Sequence, residues 1–429
     1  GWGVENFHKA FNLYFPTVIY QDEGNPLWFD RPHNLLLQYL VEGGAVSFIL
    51  YSAFLLAAVY LLLRRSRDQH MGVLFSAFLI AYIGQNIFVF DSINSYIPFF
   101  LALGFIAFLV TKQQGDSLAI RPVPRTRIAT VAIIFGIALV GTAVYQFRAM
   151  AMNYNFVTYY RDQLSQPGVY KAEATKKIFE TIDGGPRLGK AELLGMYSEF
   201  ATGVLQDQAS PDYNVSPMVA GIVERLEKYI HEHPGDARLD LFLMNLYLNA
   251  NRIDAEYLDR LLELSKDALA LSPTRPQIYY MTGRAHIIRG EKDEALADFR
   301  KAVELAPNVF DAHWNLFAAY ATVGKRVEAA AEVAKLKELR KFDVDQYTRT
   351  ATIYASGKFF EDAETVLQDG LRVYPDDTQL VAMLAQIYAV QGKNKEARAL
   401  IDKLVAANPQ LKAQADAFYK KLDDGSFLK

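Results

Sequence analysis

An all-α chain in two architectures, a polytopic transmembrane helix bundle followed by an α-solenoid, is predicted by three observations. Four long apolar stretches follow one another between residues 44 and 147. Prolines, alanines, tyrosines and glycines recur in the second half at a 34-residue spacing. Within each period the apolar residues recur at helical spacing on either side of a short polar turn such as "RGEKD".

The apolar stretches are residues 44–63, 71–90, 97–110 (spannable when extended back to 93) and 128–147. Crossing a hydrocarbon core takes roughly 20 apolar residues as helix. Backbone polar groups inside lipid must pair within the segment, so these are read as four transmembrane helices. The connectors orient them. Arg64, Arg65 and Arg67 lie in the first connector, and Lys112, Arg121, Arg125 and Arg127 in the third. Between them, 91–96 holds only Asp91 as a charge. Basic connectors stay cytoplasmic, which puts residues 1–43 and 148–429 outside the cytoplasm. Gln85 and Asn86, inside the second stretch, are expected to face a helix partner.

The second half is read as a repeat array over 205–429, joined to the spans by an irregular helical connector over 148–204. Pro273, Pro307, Pro375 and Pro409 share one register, with Lys341 in the remaining slot. Ala295, Ala329, Ala363 and Ala397 are spaced alike, as are Tyr320, Tyr354 and Tyr388. Gly290, Gly324 and Gly392 follow the same ruler, and Gly357 comes one residue early. Tyr247 follows Pro234 by the same step that separates Tyr320 from Pro307, which marks an earlier, degenerate unit. A small alanine lets the two helices of a hairpin approach. The aromatics fill the space between hairpins, and proline ends the second helix. One hairpin cannot bury its own apolar face, so the units stack. Gly283, Gly290, Ala295, Phe299, Ala302 and Pro307 fill the slots of the tetratricopeptide repeat, which this segment resembles. That resemblance implies a surface for a protein partner.

Other bulk properties exclude more than they assign. A formal net charge of −3 gives no reason to expect nucleic acid. The chain has no cysteine, hence no disulfide, thiolate metal site or cysteine nucleophile. His231 and His233 stand at i and i+2 and do not share a helix face. No metal and no cofactor are expected. The sequence opens on Gly1 without a signal-peptide pattern, which suggests the C-terminal part of a longer protein or a processed one.

Residues 1–43 carry the candidate chemistry. Gly1, Gly3, Gly24, Pro16, Pro26 and Pro32 make an irregular loop rich in aromatics, among them Trp2, Phe7, Phe11, Tyr14, Tyr20, Trp28 and Phe29. Such rings suit an interfacial belt or stacking on sugars. Asp30, Arg31, Pro32, His33 and Asn34 stand directly before the first apolar stretch. Histidine has an unperturbed pKa near the working pH of a general base. A helix N-terminus favours anions. Arg31 suits a phosphate bidentately, or a lipid headgroup. Asn34 can orient His33 or cap the helix, and Asp30 suits the positive helix end. Glu5, His8 and Lys9 are given no special role.

"GWGVENF" followed by "RPHNLLLQYLVEGG" and an apolar helix resembles the O-antigen ligase and polymerase superfamily of bacterial inner membranes, members of which can carry tetratricopeptide repeats. The resemblance implies a membrane glycosyltransferase. It would move a glycan from a polyprenyl-diphosphate carrier to an acceptor hydroxyl on lipid, glycan or protein, with His33 catalytic and Arg31 and Asn34 binding substrate. The family has more membrane helices than the four read here. The arginines that hold its diphosphate would lie upstream of Gly1, so this segment alone is expected to be inactive. The alternative is a non-catalytic, membrane-anchored repeat scaffold for envelope assembly.

Overall fold

The structure is a computed structural model that describes residues 1–4, 6–19, 28–111, 125–165, 170–206 and 215–427. Glu5, Tyr20, Gly24, Pro26, Lys112, Arg121 and the side chain of Arg125 lie outside the described residues. All regular structure among the described residues is helical. The chain divides into two units, Gly1–Phe15 with Leu27–Pro273, and Pro16–Pro26 with Thr274–Lys429.

The first unit opens with the short helix α1 (Phe7–Leu13), then α2 (Leu35–Arg65), α3 (Gln69–Asn86) and α4 (Ile93–Val110). The last three run up, down and up around Leu55, Leu62, Leu79, Phe99, Ile106 and Leu109. At one end the N–H of Arg67, between α2 and α3, donates to the carbonyl of Leu109 at 3.0 Å. The Arg67 guanidinium reaches the carbonyl of Thr111 there. At the other end the ring of His33, before α2, lies 5.5 Å from that of Phe90, between α3 and α4. The first connector and the end of α4 therefore share one end of the bundle. The segment before α2 and the second connector share the other.

Helix α5 (Arg125–Leu164) is continuous over 40 residues, about 60 Å at 1.5 Å per residue. Its first half is apolar and exposed on all sides. Its second half turns Ala149, Met152 and Phe156 inward and packs against α6 (Ala172–Gly184). One helix thus serves as both apolar rod and first element of a stack, where the sequence suggested an irregular connector. Among the described residues, α2 and α5 are the helices long and apolar enough, by length and composition alone, to cross a membrane. Helices α3 and α4 have 18 residues each. The apolar run 71–90 does not stay helical to its end, because the chain leaves α3 after Asn86 to bring Asp91 back onto it.

Paired helices follow: α7 (Lys190–Gln206) with α8 (Ser216–Glu232), and α9 (Ala237–Ala250) with α10 (Glu256–Leu271). Gly195 of α7 sits where a Cβ would strike the Phe242 ring at 2.7 Å, so glycine sets the α7–α9 approach.

The second unit continues the pattern with α11 (Pro276–Arg289), α12 (Lys292–Leu305), α13 (Phe310–Val323), α14 (Arg326–Leu339), α15 (Val344–Ser356), α16 (Phe360–Val373), α17 (Thr378–Val390) and α18 (Asn394–Ala407), closed by α19 (Lys412–Asp423). Ala295, Ala329, Ala363 and Ala397 are wholly buried between the helices of their hairpins. A Cβ on Gly283 would stand 2.9 Å from the Phe299 ring, which explains the glycine. Pro307, Pro375 and Pro409 each follow the residue that caps a second helix. At the Lys341 slot α14 stops in the same register without one. The tyrosines also keep register by hydrogen bonding: the hydroxyl of Tyr320 accepts from Arg300 at 3.1 Å and that of Tyr388 from Gln368 at 3.2 Å, each 20 residues back. In the first unit Tyr247 pairs with Glu227 across the same interval.

Gly290, Gly324 and Gly392 take the left-handed conformation that turns each first helix into its second. In the α15 hairpin that register falls on Lys358, which adopts φ +63°. Gly357 is there for another reason: a Cβ would lie 2.7 Å from the carbonyl oxygen of Ala321. The displaced glycine therefore serves a close approach, and a lysine carries the turn.

Candidate functional site

The segment before α2 and the loop after α3 build one polar and aromatic head. Asn34 is the N-cap of α2, its side-chain oxygen accepting the N–H of Leu37 at 2.9 Å. Of the two roles open to it in the sequence, capping is the one seen. His33 is exposed and flanked by rings, Phe29 at 6.4 Å and Phe90 at 5.5 Å. The Arg31 guanidinium lies 5.8 Å from the centre of the same Phe90 ring and 3.8 Å from Asp30. Phe90 therefore brings Arg31 and His33 together, and both stand at the positive end of a long helix.

Asp91 follows Phe90 and is 5% exposed. Its carboxylate accepts from the hydroxyl of Tyr82 and from the amide of Asn86 at 3.4 Å. Tyr82 is in turn 3.4 Å from the hydroxyl of Tyr51. A carboxylate is retained in such a place only when its oxygens are paired. Sequence reasoning noted Asp91 and Asn86 but did not join them. The available signal was a lone acid in an otherwise uncharged connector five residues after a buried amide. Beside this network an open cleft of about 530 Å³ is lined by Phe78, Tyr82, Gln85, Phe90, Ser95 and Pro98. Gln85 faces that cleft, whereas Asn86 faces the bundle.

The "GWGVENF" segment acts on α2. Gly44 interrupts the helix at φ +74°, ψ −172°, a conformation open in practice to glycine alone. The carbonyls of Val41 and Glu42, just before the break, are taken by the N–H groups of Trp2 at 2.8 Å and Gly3 at 2.9 Å. A Cβ on Gly1 would overlap the Glu42 carbonyl oxygen at 2.2 Å. Gly3 has φ +94°, and the Asn6 amide donates to the Trp2 carbonyl at 3.0 Å, which holds the turn. The motif's glycines and asparagine thus clamp a kink two turns into α2. From this clamp α1 crosses to α10, where Ser272 donates to the carbonyl of Asn12 at 2.8 Å. Phe11 on the same helix meets Phe29 at 5.1 Å.

In the second unit the first helices of successive hairpins pack on one another, α11 on α13, α13 on α15 and α15 on α17. That packing puts them on the inner side of the stack. Asp345, Arg349, Thr352 and Ser356 make an exposed stripe along α15, and Arg349 stands 4.9 Å over the Trp314 ring of α13.

A family model described as tetratricopeptide repeat matches residues 276–309, and another of the same description matches 358–422. The chain therefore carries tetratricopeptide repeats. Among solved structures it is similar to YrrB, described as a TPR protein with an unusual peptide-binding site (19% identity over 46% of this chain and 99% of that one, TM-score 0.32). It is also similar to TTC0263, a thermophilic TPR protein of Thermus thermophilus (19% identity, 49% and 98%, TM-score 0.33). A third similar structure is a tetratricopeptide repeat protein of Parabacteroides merdae (18% identity, 55% and 95%, TM-score 0.34). No curated protein matches the chain.

Proposed function

We propose that this chain is a membrane-anchored repeat scaffold whose tetratricopeptide array docks a protein partner outside the cytoplasm of a bacterium. In this reading α2, α3, α4 and the first half of α5 each cross the cytoplasmic membrane, which makes the chain polytopic. Residues 1–43 and 148–429 lie on the outer side, and 205–429 present the docking surface. The observation that carries it is α5, one helix that begins as an exposed apolar rod and ends inside the stack. A photo-crosslinker, p-benzoylphenylalanine, placed at Thr352 on the inner stripe tests it in living cells. A discrete adduct at Thr352, absent when the crosslinker replaces Glu338 on α14, is the expected outcome. Equal or no crosslinking at the two positions contradicts docking on that face.

A second reading is favoured by the head of the bundle, where Arg31 and His33 share one aromatic ring beside the buried Asp91. Here the chain is the C-terminal portion of an O-antigen ligase-like glycosyltransferase. His33 takes the proton of an acceptor hydroxyl, on lipid, glycan or protein. The oxygen attacks the anomeric carbon of a polyprenyl-diphosphate-linked glycan. The carbon–oxygen bond to the carrier breaks, and the diphosphate leaves with the electron pair, steadied by Arg31 and the N-terminus of α2. Asn34 holds that terminus in shape, and the repeats recruit the acceptor or a partner. His33→Ala in the full-length protein should abolish glycan transfer while leaving insertion and helix content unchanged. Transfer at the wild-type rate would remove this reading and leave the scaffold.

A further inference from the structure

The loop between α6 and α7, residues 185–189, turns back along α5 at the level where the apolar stretch ends. The N–H of Leu188 donates to the hydroxyl of Tyr145 at 3.3 Å. The Arg148 guanidinium donates to the carbonyl of Gly184 at 3.3 Å. Gly189 lies against the side chain of Asn153. Leu188 is nevertheless 46% exposed. Between α5 and α6 the same loop closes an open cleft of about 370 Å³, lined by Arg148, Asn155, Tyr159, Lys177, Glu180 and Gly185.

Axial distances along α5 set the level. From Ile137, in the middle of the stretch 128–147, Tyr145 is about 12 Å and Arg148 about 16 Å along the axis at 1.5 Å per residue. Half of a hydrocarbon core is about 15 Å. Helical side chains lean toward the N-terminus, so the Tyr145 hydroxyl reaches back toward the bilayer centre and takes the Leu188 backbone with it. Arg148 stands at the headgroup boundary, where a cation on a long stem is favoured.

We propose that loop 185–189 is a second membrane contact: Leu188 enters the outer edge of the hydrocarbon, and Arg148 beside it meets the phosphate of an anionic phospholipid. This rests on α5 spanning the membrane. An exposed leucine on a loop tied to a tyrosine at that depth has lipid as its natural cover, and the Arg148 guanidinium matches the phosphate chemistry of the same layer.

The chain has no cysteine, so single cysteines at Ile137, Leu188 and Ser356 can each carry a nitrobenzoxadiazole label in the full chain. The labelled chains are reconstituted in nanodiscs of phosphatidylcholine and phosphatidylglycerol. Blue-shifted emission quenched by brominated acyl chains is expected at 137 and 188 but not at 356. Quenching at 137 with 188 behaving like 356 overturns the loop contact and leaves the span intact. A water-like signal at 137 overturns both. Arg148→Glu should at least halve the quenching at 188 in phosphatidylglycerol and leave helix content unchanged. Undiminished quenching would remove the phosphate from Arg148.

Discussion

The backbone N–H of Gly3 donates to the carbonyl of Glu42 across 2.9 Å, just before Gly44 breaks α2. A kinked helix leaves carbonyls without their usual partners, and this segment supplies them from a distant stretch of chain. The glycines that look like a sequence signature are therefore explained by close backbone approach and by left-handed geometry.

Gly44→Ala tests the clamp. Its φ of +74° with ψ near −172° is closed to alanine without strain of roughly 1–3 kcal/mol. The variant should unfold in detergent at lower temperature and lose the protection of the Trp2 and Gly3 amides in hydrogen exchange. Unchanged stability and exchange would mean that the kink is dispensable.

Lys358 and Gly357 make a paired prediction. Lys358 holds a left-handed conformation that L-residues avoid by about 1–2 kcal/mol. Lys358→Gly should therefore stabilise the array by about 1 kcal/mol. Gly357→Ala should destabilise it by at least as much, because the new methyl meets the Ala321 carbonyl. Denaturant unfolding of both variants checks the sign of each.

Asp240, on α9, gives a pH dependence. It is 3% exposed, and burial, with Asp236 and Asp267 adding like charge, pushes its carboxyl up from 3.8 to about 7. The folded state thus holds this proton more tightly than the unfolded chain. Stability from this group is greatest below the unfolded value, declines as pH rises from about 4 to about 7, and is level above that. The whole span is worth at most about 4 kcal/mol. Asp240→Asn should flatten the decline and melt higher than the parent at about pH 8. A parallel pH profile in the two proteins would contradict this.

The array was legible in the sequence because its markers act through the backbone. Proline stops a helix, alanine admits a neighbour, and glycine takes a left-handed turn wherever the fold places them. Even the early Gly357 pointed to a real departure in the α15 turn, though which residue would carry the positive φ depended on a contact with Ala321 that only packing reveals. Apolar runs were legible as helices, but their ends were not. Hydrophobicity counts Ile87–Phe90 with α3, whereas the chain turns away to seat Asp91 against Tyr82 and Asn86. The continuity of α5 past Phe147 escaped for the opposite reason: its second half is mixed in polarity and gains its apolar partners from α6. Of the candidate site, Asn34 as a cap followed from local rules. The grouping of Arg31 and His33 about Phe90 is tertiary and had no local signature.

Membrane topology tests the central claim most directly, that the bundle head and the repeat array lie on one side of the membrane and the arginine-rich connector on the other. Single cysteines at His33, Ser356 and Arg64 can be challenged in intact cells with a maleimide that does not cross the cytoplasmic membrane. Labelling at His33→Cys and Ser356→Cys, with Arg64→Cys reacting only after permeabilisation, is the result expected here. Labelling of Arg64→Cys in intact cells, or opposite behaviour of His33→Cys and Ser356→Cys, would contradict it.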